Sequence, residues 1–190
     1  MDLVVDTCIV SSASKRNTPQ SNRSRIILDK IYENSHKIVV SMEMKLEYEQ
    51  IRSFMGPSWF LTMMRAGRVV GDKIDMKDIR FRKDLKIAVG KKYHKSQIKA
   101  YWKKLEKDIR FFEAALYSGN VIISNEKVCR DIVRDIANVD FITESIRKLR
   151  LLFWIYTYDS NDSEIKSFLE TGFTDTFVIP IDWYLLLRSA

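Results

Sequence analysis

The sequence predicts an α/β fold with a central, mainly parallel sheet. Short apolar runs alternate along the chain with amphipathic stretches of helical period, which is typical of strands connected by helices. The apolar runs do not alternate with polar residues, as expected of strands buried on both faces. The chain of 190 residues is long enough to bury one core without disulfides or a structural metal.

The first third of the chain contains two strand and helix units. Leu3 to Val5 form a short β-branched strand, and HKIVVS forms a second one. The predicted elements in this part are a strand at 3–5, a helical region at 7–12, a polar loop at 12–24, a helix at 24–34, a strand at 36–41 and a helix from Ser41 to Met55 that Gly56 and Pro57 end.

The pattern continues after a charged, glycine-interrupted segment. A long helix is predicted from Ser96 to Ser118, with Gly119 stopping it. A strand at 121–125, a helix at 127–137 and a strand at 139–143 follow. Beyond Glu144 a helix is predicted at DSEIKSFLETG, but no topology follows from the pattern. We therefore divide the chain into an α/β/α domain at 1–143, with a basic insertion at about 58–95, and a C-terminal extension at 144–190 packed on it.

The positive charge is concentrated in one segment. The chain carries +7, whereas Arg65 to Lys107 contains fifteen Lys and Arg against five Asp and Glu. This distribution is expected of a protein that binds a polyanion, although a solvated lysine-rich helix face would have the same composition. Interleaved aromatic residues could stack on unpaired bases or belong to the core: Phe81, Tyr93, Tyr101 and Trp102.

The remaining bulk features exclude several classes of protein. Cys8 and Cys129 are not spaced like a zinc site or a disulfide framework. No basic-apolar signal region opens the chain, and no apolar run approaches the roughly 18 residues of a membrane span. We expect a protein of the reducing cytoplasm with no membrane partner.

Acidic residues follow the ends of the predicted strands. Asp6 follows the first strand, Glu126 follows the third, and Glu47 lies in the helix after the second. Asp108 lies in the long helix that leads to the third strand. Parallel strands bring their carboxyl ends to one edge, so these four carboxylates could converge there. Clustered carboxylates repel each other unless a cation lies between them, and oxygen ligands favour Mg²⁺ or Mn²⁺.

Each acid also has an ordinary explanation. Asp6 could be a helix cap, Glu47 a surface residue and Asp108 half of an ion pair with Lys104. Glu126 could be a charge at a helix N-terminus. The metal cluster is the better interpretation only for the four acids taken together.

Three stretches together resemble the PIN-domain nucleases, the family that includes VapC-type ribonucleases. They are LVVDTCIVSSA, VVSMEMKLEYEQI and KDIRFFEAALYSGNVIISNEKV. The resemblance implies a PIN-like three-layer α/β/α fold, and it implies that the metal ligands and catalytic residues are Asp6, Glu47, Asp108 and Glu126. The chain departs from the family at Glu126, where Asp is usual, and it lacks the second acid often found just beyond.

The resemblance implies a Mg²⁺- or Mn²⁺-dependent hydrolysis of RNA phosphodiesters, with single-stranded or loop RNA as substrate. The residues expected to contact the substrate are Thr7, Ser124, Asn125, Lys91, Lys92, Lys95 and Lys99. An antitoxin, another protein or a second copy of the chain would be the protein partner. The alternative is a catalytically inactive PIN-like module that binds RNA or protein, which the Glu126 departure and the basic insertion favour.

Overall fold

The computed structural model describes residues 1–137, 143–156 and 162–171. These residues form a mixed α/β fold around a five-stranded sheet. The strands are β1 (Asp2–Val5), β2 (Lys37–Val39), β3 (Val69–Val70), β4 (Val121–Ser124) and β5 (Phe153–Tyr156). The helices are α1 (Thr7–Ser12), α2 (Pro19–Glu33), α3 (Met42–Gln50), α4 (Gly56–Arg65), α5 (Ile79–Lys92), α6 (Lys95–Tyr117), α7 (Lys127–Ala137), α8 (Glu144–Arg147) with a 3₁₀ turn at Lys148–Leu151, and α9 (Asp162–Thr171).

The predicted parallel sheet is confirmed. The strand order is β3-β2-β1-β4-β5, and every neighbouring pair is parallel. The chain adds strands in one direction from β1 to β3 and in the other from β4 to β5, so the order reverses between β1 and β4. Such a reversal is the point where open parallel sheets bind ligands, at the carboxyl ends of the strands.

The central strands are apolar because they are buried on both faces. Leu3, Val4 and Val5 of β1 are fully buried, as are Ile122 and Ile123 of β4. The register pairs Val4 with Ile122 and Val5 with Ile123. The residues that follow β1 and β4 therefore emerge side by side at the carboxyl edge.

Two helix boundaries differ from the prediction. Helix α2 begins at Pro19 and not near Ser24, because the Thr18 side chain caps the helix and proline is well suited to its first position. Helix α3 ends at Gln50, and the glycine and proline at 56–57 begin α4, whereas we expected them to end the preceding helix. Ile51 is buried in the loop after α3, and Met55 is the N-cap of α4, where it packs partly buried against the core.

The strands beyond β2 are only partly those predicted. Strand β3 lies inside the basic segment, where only short helices and loops were expected. The predicted strand at 139–143 falls largely outside the described residues. Strand β5 lies in the C-terminal extension and pairs with β4 from Val121 against Phe153 to Ser124 against Tyr156.

An ion pair fixes the basic segment to the rest of the fold. Arg82 of α5 donates two hydrogen bonds to the buried Glu113 of α6, with N to O distances of 2.8 and 2.6 Å. Glu113 also accepts from the backbone N–H of Asp78 at 2.8 Å. Part of the positive charge of this segment is therefore neutralised within the fold.

No helix in the described ranges is both long enough and apolar enough to span a membrane.

Candidate active site

Asp6 lies directly at the strand-order reversal. Its backbone N–H donates to Ile123 of β4 at 2.9 Å, so it extends the sheet by one residue. One carboxylate oxygen accepts from the backbone N–H of Cys8 and caps α1 at 2.9 Å. The other accepts from the Ser124 hydroxyl at 2.5 Å. Asp6 is thus a helix cap, and it is also held at the edge where a ligand would bind.

Glu47 is brought to the same edge by its neighbour in α3. The hydroxyl of the buried Tyr48 donates to the carbonyl oxygen of Val5, which ties α3 to the end of β1. Burial raises the pKa of Glu47, and the charge of Asp6 raises it further, while Arg110 and a hydrogen bond from Thr7 lower it. Glu47 therefore lies within the electrostatic range of Asp6, as predicted from the strand ends.

Asp108 enters the site from α6. Burial raises its pKa to about 6, the charges of Asp6 and Glu126 add to that effect, and a hydrogen bond from Cys129 opposes it. The Cys129 thiol donates to Asp108 at 2.8 Å. Among the described residues, Asp108 forms no ion pair with Lys104. The Cys129 thiol contacts Lys104 instead, at 3.6 Å from its carbonyl oxygen.

Glu126 lies at the exposed rim of the site. Its backbone N–H donates to the Ser124 hydroxyl at 2.9 Å, and its charge reaches Asp108. Ser124 is 1% exposed and contacts both Asp6 and Glu126, which favours a positioning role over the expected substrate contact. The backbone N–H of Asn125 donates to the Cys8 sulfur at 3.4 Å and holds the loop after β4 against α1.

The four carboxylates are neighbours, but they do not form a closed metal cage. Within residues 1–137, 143–156 and 162–171, no three His, Cys, Asp or Glu side chains are placed to hold a metal ion together. The charge of Asp6 acts on Glu47 and on Asp108, and the charge of Glu126 acts on Asp108.

Arg110 neutralises part of this negative charge, and sequence analysis did not identify it. Its guanidinium contacts Glu47 at 2.5 Å and Glu43 at 3.6 Å. Glu43 and Glu47 are four residues apart and so share a face of α3. Glu43 also lies 3.7 Å from Arg82, so a chain of ion pairs connects the candidate site to α5. No sequence spacing reveals these pairs, because they join helices that are distant along the chain.

An open cavity of about 500 Å³ gives access to the site. Two exposed cations, Arg52 and Lys107, line it together with Thr7, Glu47 and Asp108. Neither cation was among the predicted substrate contacts. A phosphate in this cavity would have both positive groups in the same walls as the carboxylates of Glu47 and Asp108.

The lysines predicted to contact the substrate lie farther away. Lys91 and Lys92 end α5, and Lys95 begins α6. Lys99 precedes Asp108 by about 2.5 turns, which puts it on the opposite face of α6 and about 14 Å away along the axis. None of these four lysines lines the cavity that contains Glu47 and Asp108.

The aromatic residues of the basic segment pack within the fold. Phe81 is buried, and Tyr93 stacks on Tyr101 with the ring centroids 4.2 Å apart. The Tyr93 hydroxyl donates to Asp135 at 3.1 Å, and Trp102 packs against the core. These rings are therefore occupied by internal contacts.

Comparison of the chain with protein-family models, with curated proteins and with solved structures finds no match.

Proposed function

We propose that this chain is a metal-dependent ribonuclease with a PIN-like three-layer fold. The observation that carries the proposal is the meeting of Asp6 and Asp108. One lies at the strand-order reversal and the other in a distant helix, and yet the charge of Asp6 raises the pKa of Asp108. A buried Asp6 and a half-buried Asp108 that repel each other reduce stability, which proteins tolerate where a cation or a reaction needs both carboxylates.

The donor set fits a hard divalent cation. All four acids offer carboxylate oxygens, the donor type that a hard divalent cation prefers. Of these four, only Glu47 forms a salt bridge in the described part of the chain, with Arg110. Asp6 and Asp108 would be the main ligands of Mg²⁺ or Mn²⁺, and Glu47 would join them by exchanging Arg110 for the metal.

The bound cation would supply a water of lowered pKa and polarise the phosphodiester. The chain's own residues would position the substrate. Arg52 and Lys107 would neutralise phosphates at the cavity wall, and Thr7 would keep Glu47 oriented through its hydrogen bond. Ser124 would hold Asp6 in its present rotamer.

We infer that the substrate is single-stranded or loop RNA, since unpaired bases are accessible to a shallow site. A processing nuclease or a toxin-like nuclease of the cytoplasm would use the same chemistry. A toxin would in addition require an antitoxin, and a second copy of the chain is the alternative protein partner.

A second function is favoured by one observation. The Arg110 guanidinium lies 2.5 Å from a carboxylate oxygen of Glu47, so the site already contains a positive charge. A PIN-like module that binds RNA or protein without cleaving it would need no metal, and Arg110 would then be a permanent structural partner.

Replacement of Asp6 by Asn distinguishes the two functions. Asn retains an oxygen that can accept from Cys8, and its amide can donate to Ser124, but the charge that would bind a cation is lost. We expect RNA cleavage in Mn²⁺ to fall at least about a hundredfold while the melting temperature changes little. Asp2→Asn, at the other end of the same strand, is the matched control.

Calorimetric titration with Mn²⁺ gives a readout that does not depend on cleavage. Binding should be present in the wild type and in Asp2→Asn and should be lost in Asp6→Asn. Equal Mn²⁺ binding and cleavage by Asp6→Asn and wild type would contradict the nuclease proposal.

A further inference from the structure

A second cavity adjoins the candidate active site. It has a volume of about 820 Å³ and shares Ser11 with the first cavity. Its walls come from the end of α1, the loop before α2, the start of α2 and the loop after α3. The side chains that line it include Ser11, Ser14, Arg16, Ser21, Arg23 and Ser53.

The lining is suited to a phosphate backbone. Hydroxyl groups and two guanidinium groups line the cavity, and no Asp or Glu from the described ranges does. Arg16 is exposed, and its side chain forms no ion pair with any described residue. An anion would therefore meet the positive charge of Arg16 in a cavity whose described lining has no carboxylate.

An exposed aromatic ring lies beside this cavity. Phe54 follows Ser53 and is 60% exposed. The Lys15 ammonium lies 4.1 Å from the centroid of its ring. A base that stacks on the exposed part of Phe54 would have a cation beside its phosphate.

The loop that carries Phe54 is held against the end of α1. The Ser53 hydroxyl donates to the Val10 carbonyl oxygen at 2.9 Å, and the backbone N–H of Met55 donates to Ala13 at 3.3 Å. A side chain at Gly56 would come within 2.5 Å of the Ser53 hydroxyl, so this close approach requires glycine. The position of Phe54 is thus fixed by the fold.

We propose that a single strand of RNA runs from the carboxylate cavity across Ser11 into the second cavity, with one base stacked on Phe54. This inference rests on the proposed function for its ligand, but it concerns binding and not cleavage. A duplex has no unpaired base to offer Phe54 and is excluded as the preferred ligand.

The test is fluorescence anisotropy with a labelled oligouridylate in EDTA, so that cleavage cannot occur. Phe54→Ala should raise Kd about five- to 150-fold, the range of one lost base stack. Tyr117→Ala is the matched control, since Tyr117 is similarly exposed and lies at the C-terminal end of α6. Arg16→Ala should lower the salt slope of log K by about 0.7, whereas Arg65→Ala should leave it unchanged.

The outcomes separate this inference from the proposed nuclease. If Phe54→Ala weakens binding no more than Tyr117→Ala does, or if duplex RNA competes as well as the single strand, the inference is wrong even where cleavage is observed. If Phe54 and Arg16 control binding but Mn²⁺ supports no cleavage, the inference stands and the nuclease proposal fails. Melting temperatures of all four variants should match the wild type, because all four residues are exposed.

Discussion

Asp108 accepts a hydrogen bond from a thiol, and no salt bridge from the described residues offsets its burial. The Cys129 hydrogen bond lowers its pKa but does not overcome desolvation, so the pKa stays near 6. A nearby cation would stabilise the charged form. Burial therefore has the largest effect on the pKa of Asp108 in this environment.

The raised pKa of Asp108 predicts the pH dependence of stability. The folded protein holds a proton on Asp108 up to about pH 6, whereas the ordinary Asp pKa is 3.8. Between those values the folded state binds the extra proton, so the Asp108 contribution to stability falls as pH rises and stays low above pH 6. Asp108→Asn should remove this trend from melting curves recorded between pH 4 and 7. A wild type and an Asp108→Asn variant with parallel pH profiles would contradict the assignment.

Substitution of Cys129 tests the pKa of Asp108 a second time. Cys129→Ala removes the hydrogen bond that lowers the Asp108 pKa, so the loss of stability should extend to higher pH. Cys129→Ser keeps a donor and should leave the profile close to the wild type. The pKa of Asp108 can be followed directly by NMR of its carboxyl carbon. An unchanged Asp108 pKa in Cys129→Ala would show that the thiol contact has no electrostatic effect.

At the residue scale, the acids could be predicted and their partners could not. Asp6 was identifiable because a strand and its end are local patterns. Arg110 and Cys129 contact Glu47 and Asp108 across helix interfaces, which one sequence does not encode at any fixed spacing. The charge of Asp6 acts on Glu47 and on Asp108, and the charge of Glu126 acts on Asp108. The function of the four acids as metal ligands stays a prediction.

At the scale of elements, α6 connects the candidate site to the basic segment. It carries Asp108 and Arg110 at the site and Glu113 one turn further along, where Arg82 of α5 binds it. Because Glu113 is only 5% exposed, its carboxylate is stabilised by the ion pair with Arg82 and by the hydrogen bond from the Asp78 N–H. Packing of α5 against α6 therefore depends on this buried contact.

Arg82→Met should destabilise the fold by about 2 to 3 kcal/mol. Breaking a buried ion pair costs about 3–5 kcal/mol, and the partial exposure of Arg82 reduces the cost through solvent screening. Urea unfolding measures the free energy. Arg80→Met, two residues earlier and exposed, should change it by less than about 0.5 kcal/mol. Equal effects of the two substitutions would mean that the Glu113 contact contributes nothing particular.

Elements with a regular period were predicted well, and those defined by caps were not. The long helix at 96–118 differs from α6 by a single residue at each end. The start of α2 was missed because the cap and proline at 18–19 lie in a stretch rich in serine and asparagine that resembles a loop. Strand β3 has two residues, too few for any period to show.

At the scale of the whole molecule, the parallel sheet followed from the alternation of apolar runs with helices, but its strand order did not. The position of the positive charge could not be predicted in the same way. Lys and Arg are concentrated at 65–107. In the fold, however, Lys99 lies on the face of α6 opposite Asp108, and Arg82 forms an ion pair with Glu113. The cations that line the candidate cavity are Arg52, which lies outside that segment, Lys107 at its end and Arg110 just beyond it.

The two groups of cations should therefore differ in their effect on RNA binding. Each phosphate contact contributes about 0.7 to the slope of log K against log salt for a single strand. Arg52→Ala with Lys107→Ala should lower that slope by about 1.4 because both residues line the cavity. A second variant neutralises four lysines and so removes twice the charge: Lys91, Lys92, Lys95 and Lys99. It should lower the slope less, because Lys99 faces away from the site and the other three lie still farther from Asp108 along the chain. Titrations of a labelled oligouridylate over a salt series measure both slopes. A larger change in the lysine variant would show that the strand crosses the α5 and α6 junction, and a flat salt response of the wild type would contradict polyanion binding altogether.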